Sequence, residues 1–367
     1  MSVNPLSNPK GVELKCELCQ RPAFIKCTKC RVTYYCGKEH QMNDWVGIHE
    51  KICQLLIPLR TPVPFAGSEE ERQHRQEQQI IRQKQMIDLS RTTGQKLLFE
   101  GKHVESIPAA IQALRFSIAV HGTASVELVP SYLILAEAAI GLGKLSEAED
   151  YLAQAEWTVL KTPSCPNHFR SRLYRNLGLL AASNGQYDDA LRNYANDIFY
   201  ASQDAGPSDI ATSGGYFHMA NVFFRQNRML VADSLYDKVT DIWMKHLQKL
   251  TAQRRATPMK RQTIGPVFEE ADIHYDYLDE AQTAEAKQVL NAVFDLRQQQ
   301  TDAKYDEKRM KIAYTLSMLY CLLSDEDKCK LFSRTAKTAS ENREQDSLSL
   351  EIDEFDKFCQ RPMTISS

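Results

Sequence analysis

Eight cysteine and histidine side chains near the start of the chain have the spacing of metal ligands. They form four pairs: Cys16-x2-Cys19, Cys27-x2-Cys30, Cys36-x3-His40 and His49-x3-Cys53. Zinc prefers four nitrogen or sulfur ligands in a tetrahedron, and two or three intervening residues let one turn present two of them. Eight such ligands predict two closed zinc sites with no position left for water, which is the arrangement of structural rather than catalytic zinc.

The remaining cysteines form no such cluster in the sequence. Four of the ten lie far apart, at Cys165, Cys321, Cys329 and Cys359. Residues 1–11 lack the apolar run of a secretory signal. We therefore expect a reducing compartment, in which clustered thiols bind metal rather than form disulfides. The four scattered thiols are expected to be ordinary buried side chains.

The residues around the ligands resemble the MYND-type zinc finger over residues 16–53. The resemblance rests on Tyr34-Tyr35-Cys36, His40-Gln41-x3-Trp45 and His49-x3-Cys53. It implies that the four pairs interleave, the first with the third and the second with the fourth. One zinc would be held by Cys16, Cys19, Cys36 and His40, and the other by Cys27, Cys30, His49 and Cys53. His40 replaces the family's more common cysteine, but imidazole is a competent zinc ligand.

The same resemblance implies a protein-binding module for short proline-containing peptides. The groove residues of the family match Thr28, Gln41 and Trp45 in this chain. If residues 39–52 are helical, Gln41 and Trp45 share one face, and an indole beside an amide suits an extended peptide with prolines. The alternative interpretation is that Trp45 packs inside the finger, because a small zinc domain needs its few apolar side chains for folding.

Composition and charge exclude several classes of protein. The chain has 367 residues, of which 43% are apolar, so it can bury a sizeable core. A net charge of −2 argues against binding to nucleic acid by bulk electrostatics. The longest apolar run is far shorter than the roughly 20 residues that a membrane span needs.

The composition changes on both sides of the finger. Residues 1–15 are expected to be an N-terminal tail. Residues 54–67 contain Pro58, Pro62, Pro64 and Gly67, which predicts a semi-rigid linker. Ser68 is followed by three glutamates and is expected to cap a long polar helix.

A repeat with a period of 42 residues follows. Gly101, Gly143, Gly185 and Asn227 recur at that spacing, and a small residue follows each by five positions: Ser106, Ala148, Ala190 and Ala232. Aromatic and large apolar residues flank these positions at helical spacing. The pattern predicts helix-turn-helix units, because small residues let two helices approach closely and large ones fill the space to the next pair.

These units are similar to tetratricopeptide repeats, although the usual period is about 34 residues. The predicted fold is mainly α: the two-zinc finger, then an α-solenoid of five to six long helical hairpins over residues 68–345. Two weaker copies are centred on Ala286 and Lys328. A basic insert near 251–266 is interpreted as a solvated connector, with docking of an acidic partner as the alternative. Residues 346–367 are expected to be a capping segment and tail.

Three function classes compete for this architecture. The first is a non-enzymatic adaptor, in which the finger and the repeats bind different proteins. The second is a lysine methyltransferase of the SET type, but the SET motifs and other common catalytic motifs are absent, so we predict no enzyme. The third is a nuclear corepressor adaptor, against which the lack of a basic localisation run argues.

The combination of this finger with long tetratricopeptide repeats resembles scaffold proteins of the axoneme. The resemblance implies a cytoskeletal location in the cilium or sperm flagellum. The implied partners are axonemal dynein components and other repeat proteins, with proline-containing peptides at the finger and helices or peptides on the repeats. Nothing in the composition or the spacing points to this location, so it rests on the resemblance alone.

Overall fold

A computed structural model describes residues 13–61, 67–256, 277–300, 302, 305–340 and 347–360. The chain divides into two compact units, Met1–Asp197 and Ile198–Ser367. Residues 1–12 of the predicted tail, 62–66 of the predicted linker, and 346 and 361–367 of the predicted C-terminal segment lie outside the described residues.

The first unit begins with a small finger. Strands β1 (Ile25–Lys26) and β2 (Tyr34–Tyr35) pair antiparallel, with Ile25 opposite Tyr35. A continuous helical segment follows: α1 (Lys38–Asp44), a single π-helical turn (Trp45–His49) and α2 (Glu50–Ile52). The predicted linker is not wholly extended, because residues Leu56–Arg60 form a short helix, α3, and Leu56 is buried.

The rest of the first unit consists of helices paired as hairpins. They are α4 (Glu69–Phe99), α5 (His103–His121), α6 (Val129–Gly141), α7 (Leu145–Lys161), α8 (Asn167–Ser183) and α9 (Tyr187–Ala205), whose last residues belong to the second unit. As the sequence predicts, Ser68 caps α4, and its hydroxyl accepts a hydrogen bond from the amide of Glu71.

The second unit is also helical. Its helices are α10 (Ile210–Arg225), α11 (Met229–Ala256), α12 (Glu280–Gln298), α13 (Asp306–Leu322), α14 (Glu326–Ser340) and α15 (Ser347–Gln360). Its core contains the fully buried Trp243, Leu247 and Leu290. The predicted fold class, mainly α with a finger followed by helical hairpins, is therefore confirmed. Among the described residues, no helix has the length and apolar character to cross a bilayer.

The same turn connects the two helices of each hairpin. Gly101, Gly143, Gly185 and Asn227 all have positive φ, between 58° and 76°. The residue after each donates its amide to the carbonyl five positions earlier, as Lys144 does to Ala139 at 2.9 Å. This is the Schellman ending of a helix, which satisfies the last carbonyls and favours glycine or asparagine at the left-handed position.

The small residues after the turns are buried where two helices meet. Ser106, Ala148, Ala190 and Ala232 are all at most 1% exposed. A second close approach occurs at Gly178 in α8, where an added Cβ would lie 2.5 Å from the ring of Tyr194 in α9. The small residues of the repeat therefore lie where the sequence predicts, at the contact between the two helices of a hairpin, and allow these helices to approach closely.

The copy predicted at Lys328 needs correction. The described first helix of the last hairpin is α13, and its turn is Ser324, with φ 59°. The small buried residue five positions later is Cys329, whereas Lys328 is exposed. The copy predicted at Ala286 is described only over α12, which starts at a capping box on Asp279 and buries both Ala286 and Leu290. Tyr277 is 67% exposed rather than part of a preceding helix, and Ile273 lies outside the described residues.

The predicted basic insert is partly helical. Residues 251–256 are the last turns of α11, and Thr251 is buried. Arg254 donates from Nη1 to the carbonyls of Cys321 and Leu322 at 2.8 and 2.7 Å. Arg254 therefore caps the end of α13 rather than facing solvent for a partner. Residues 257–266 lie outside the described residues.

The turn geometry can be tested at Gly143. We expect Gly143→Ala to lower the free energy of unfolding by about 1 kcal/mol, because an L-residue with a side chain is strained at φ 72°. Nothing lies within 4 Å of the added Cβ, so the effect comes from the backbone alone. Gly67→Ala is the matched control, since its surroundings are equally open and its φ is not left-handed. Equal urea midpoints for the two variants would contradict the proposed turn.

Candidate metal centre

The first ligand group contains Cys16, Cys19, Cys36 and His40, whose ligand atoms all lie within 4.8 Å of one another. The Nδ1 atom of His40 is 3.4 Å from Sγ of Cys16 and 3.2 Å from Sγ of Cys36. The sulfurs of Cys19 and Cys36 are 3.6 Å apart. Cys16 is buried, and the other three are half-buried at the edge of the finger.

The second ligand group contains Cys27, Cys30, His49 and Cys53, and it is wholly buried. The sulfurs of Cys27 and Cys53 are 3.9 Å apart. His49 presents Nε2 to this group, at 3.6 Å from Sγ of Cys30. The two histidines therefore offer different ring nitrogens to the two groups.

These distances fit a tetrahedral zinc ion. Zinc–sulfur bonds of about 2.3 Å and zinc–nitrogen bonds of about 2.0 Å place neighbouring ligand atoms about 3.5–3.8 Å apart. The separations in both groups are close to that range, and the donor sets are Cys3His. Two structural zinc ions are therefore confirmed as the cofactors. The structure brings together the same two sets of four residues that the interleaved pairing implies.

Two equivalent turns and one helix position the ligands. Gln20 and Arg31 have positive φ, and each donates its amide to the carbonyl of the first cysteine of its pair, Cys16 and Cys27. Each turn points two cysteine sulfurs toward one centre. His40 and His49 lie nine residues apart on one helical segment, and each belongs to a different ligand group. One helix thus serves both ions.

A buried carboxylate lies behind His49. Its Nδ1 atom lies 3.6 Å from Oδ2 of Asp44, and the same oxygen accepts a hydrogen bond from the Tyr35 hydroxyl at 2.6 Å. Burial, and then the charge of Asp44, raises the pKa of Tyr35, so the hydroxyl remains a donor. A carboxylate behind a ligating histidine orients the ring and strengthens it as a ligand.

The finger is packed directly on the first helical hairpin. Ile48, Ile52 and Leu56 share one buried cluster with Met86 and Ile87 of α4, and with Ala109 and Phe116 of α5. At Gly47 the contact is closest, since an added Cβ would lie 2.5 Å from the carbonyl oxygen of Glu105 and 3.0 Å from Pro108. The finger is therefore part of the first unit's core.

An ionic clamp holds the other side of the finger. The Glu17 carboxylate, next to the ligand Cys16, accepts from Arg60 of α3 at 2.6 Å and from Arg115 of α5 at 2.8 Å. Burial by itself would raise the pKa of Glu17, but the hydrogen bond and charge of Arg60, with the charge of Arg115, lower it below the ordinary value. Glu17 is consequently ionised at neutral pH and pairs with both arginines.

The predicted peptide-binding residues differ in their exposure. Thr28 and Trp45 are half-buried, but Gln41 is only 6% exposed, so little of its amide is open to a ligand. The Trp45 ring packs against the finger core, 5.7 Å from the His49 ring, and carries the Lys29 ammonium 4.4 Å from its centre. Part of the Trp45 ring therefore packs inside the finger, and the rest of the ring is accessible to a ligand.

The exposed apolar surface of the finger lies at positions that the sequence interpretation did not single out. Phe24, Met42 and Val46 are 60–65% exposed. Met42 and Val46 are four residues apart on the helical segment, each one position after Gln41 and Trp45. Gln41 points into the finger, so the exposed face of this helical segment is formed by the next residues, Met42 and Val46, instead of by Gln41 and Trp45.

A cavity lined by polar and charged side chains lies among the first helices of the hairpins in the first unit. A cavity of about 400 Å³ is lined by Asp88 and Arg91 of α4, Glu127, and His168 and Arg172 of α8. Burial raises the pKa of Asp88 and lowers that of Arg91. The cavity therefore contains both signs of charge in a partly desolvated setting, and Arg91 pairs with Glu127 within it.

Comparisons with known proteins support the assignment of the finger. The family model of the MYND finger matches residues 16–53. Human Egl nine homolog 1 is 45% identical over 75 residues, which are 16% of this chain and 17% of that protein. The mouse protein is 41% identical over 51 residues, which are 13% of this chain and 12% of the relative. The chain thus covers about a sixth or less of these relatives.

Among solved structures, the helices are similar to two proteins at low identity. The pilF protein of Pseudomonas aeruginosa is 14% identical with a TM-score of 0.31, covering 75% of this chain and 99% of its own. BtubC (BKLC) from P. vanneervenii has the same identity and TM-score, covering 71% and 94%. At that TM-score neither likeness identifies a function. Residues 16–53 are nevertheless a MYND finger, with two structural zinc sites.

The docking of the finger can be tested at Gly47. We expect Gly47→Ala to lower the free energy of unfolding by about 1–3 kcal/mol, because the new methyl group overpacks the contact with α5. Zinc content should stay at two ions per chain, since Gly47 is no ligand. Gly37→Ala is the matched control in the same finger, because nothing lies within 4 Å of its Cβ. A thermal melting temperature equal to that of the unmodified protein would contradict the docking.

Proposed function

We propose that this protein is a non-enzymatic adaptor that binds other proteins through its finger and its helical hairpins. The observation that carries the proposal is the completeness of both metal clusters. Each group has four protein ligands, so a bound zinc ion has no open position for substrate or water. The zinc ions then stabilise a surface instead of performing a reaction.

The finger supports binding through an apolar face. We propose that a proline-containing peptide lies against the open part of Trp45, with Thr28, Met42 and Val46 around it. Indole rings and nearby apolar side chains suit proline rings in an extended peptide. Gln41 is proposed to contribute only if peptide binding turns its amide outward.

The peptide site can be tested with Trp45→Ala. Full-length protein is first used on an array of proline-containing peptides, and the best ligand is then titrated by fluorescence anisotropy. We expect Trp45→Ala to weaken that ligand by at least about tenfold, as for an aromatic residue that dominates an interface, while two zinc ions remain bound.

Trp157→Ala is the matched control for that experiment. Trp157 is an exposed tryptophan on α7 with a lysine ammonium over its ring, 4.5 Å from the centre, like Trp45. Its replacement should leave the peptide affinity unchanged. Loss of zinc from Trp45→Ala would instead favour a purely structural role for the indole.

The finer proposal concerns the cell. The order of finger and repeats resembles zinc finger MYND domain-containing protein 12, and on that resemblance we propose a scaffold of the cilium or sperm flagellum, with axonemal dynein components and other repeat proteins as partners. Affinity capture with the full chain from ciliated tissue should recover axonemal proteins. Recovery of chromatin factors alone would favour the corepressor function instead.

A further inference from the structure

Three cysteines that are far apart in the sequence lie together in the core of the second unit. Cys321 is on α13, Cys329 on α14 and Cys359 on α15, and each is at most 3% exposed. The Sγ atoms of Cys329 and Cys359 are 3.0 Å apart. Cys321 belongs to the same buried cluster. The zinc sites of the finger use none of these thiols.

The helices hold Cys329 and Cys359 opposite each other. Ile352 and Phe355 bury one face of α15 in the core. One turn beyond Cys329, the hydroxyl of Ser333 donates to Oδ1 of Asp356 at 2.9 Å. Asp356 lies one turn before Cys359, so this hydrogen bond fixes an antiparallel register in which the two thiols face each other. Lys337 adds an ion pair to Asp356 at 3.4 Å.

The remaining separation is small. A disulfide has a sulfur–sulfur bond of about 2.05 Å, so the two atoms need to approach by about 1 Å. Helices that carry their thiols in contact can close such a gap through side-chain rotation.

We propose that Cys329 and Cys359 are a modification site, at which a peroxide converts two thiols into a disulfide that fastens α15 to α14. One thiol loses its proton and its sulfur attacks a peroxide oxygen. The O–O bond breaks, and the departing hydroxide takes up that proton as water, leaving a sulfenic acid. The sulfur of the second thiol then attacks the sulfenic sulfur, and its proton leaves with the hydroxyl group as water. The two thiols lose two electrons and hydrogen peroxide is reduced to two waters.

The consequence is a switch in how firmly the last described helix is attached. With free thiols, α15 is held by side-chain contacts, which among the described helices are mainly with α14, and such a helix can open locally. That opening admits the peroxide to thiols that are otherwise buried. The disulfide closes the loop between positions 329 and 359 and restricts the unfolded state. A thiol reductant such as glutathione returns the pair to two thiols by exchange.

The test uses the full-length, zinc-loaded protein and hydrogen peroxide. After treatment, free thiols are blocked with N-ethylmaleimide, and a digest without reductant is mapped by mass spectrometry. We expect a peptide pair linking Cys329 to Cys359 at peroxide doses that leave two zinc ions bound, and a melting temperature several degrees higher. Both should reverse with glutathione.

Single variants separate this pair from its neighbours. Cys321→Ala should retain the linkage, and Cys165→Ala, which removes a buried thiol in the first unit, should retain both the linkage and the melting shift. Cys359→Ala should lose both. Because a core variant can misfold, the proposal is tested primarily by mapping the disulfide in the unmodified protein. Alkylated Cys329 and Cys359 after peroxide, or a dominant linkage to Cys321, would overturn the proposal.

Discussion

The contact between the finger helix and α5 at Gly47 is the constraint on which the first unit depends. Only a residue without a side chain fits there, because a Cβ would meet the backbone of Glu105. The close approach brings Ile48 and Ile52 into the same cluster as Ala109 and Phe116. Metal ligation stabilises the folded finger. Because the finger shares a buried cluster with α4 and α5, this ligation also stabilises the first hairpin.

Buried charge is used for positioning in both units. Glu17 ties the finger to Arg60 and Arg115. In the second unit, Arg297 of α12 is nearly buried and pairs with Asp233 and Asp237 of α11. Burial lowers the pKa of Arg297 to about 10, which leaves it charged at neutral pH. Such pairs add less stability than their short distances suggest, since desolvation offsets their attraction, but they fix one register between helices.

The sequence could predict features that depend on short spacing along the chain. The paired ligands of the finger are separated by only two or three residues, and the first four hairpin turns recur every 42 residues, so both features are visible without knowing the fold. Ser68 as a helix cap is local in the same sense. The difference at Lys328 has a local cause too. A spacing of 42 residues from Ala286 ends one residue before Cys329, which the left-handed turn at Ser324 places in the small position.

Features that depend on distant parts of the chain were not predictable. Glu17 and Arg115 are 98 positions apart, and neither residue type alone indicates the other as a partner. Cys321, Cys329 and Cys359 meet only because α13, α14 and α15 pack together. The burial of Gln41 likewise depends on how the finger helix turns against its own strands, which the helical period alone cannot decide.

Hydrogen exchange of α5 before and after zinc removal tests the central claim most directly. The claim is that the finger and the first hairpin share one core and that zinc supports both. With a chelator present, the account predicts faster exchange of α5 amides together with those of the finger, while α7, which packs on α6 and α8, changes little. Unchanged protection of α5 after the finger has lost its zinc and exchanged fully would contradict it.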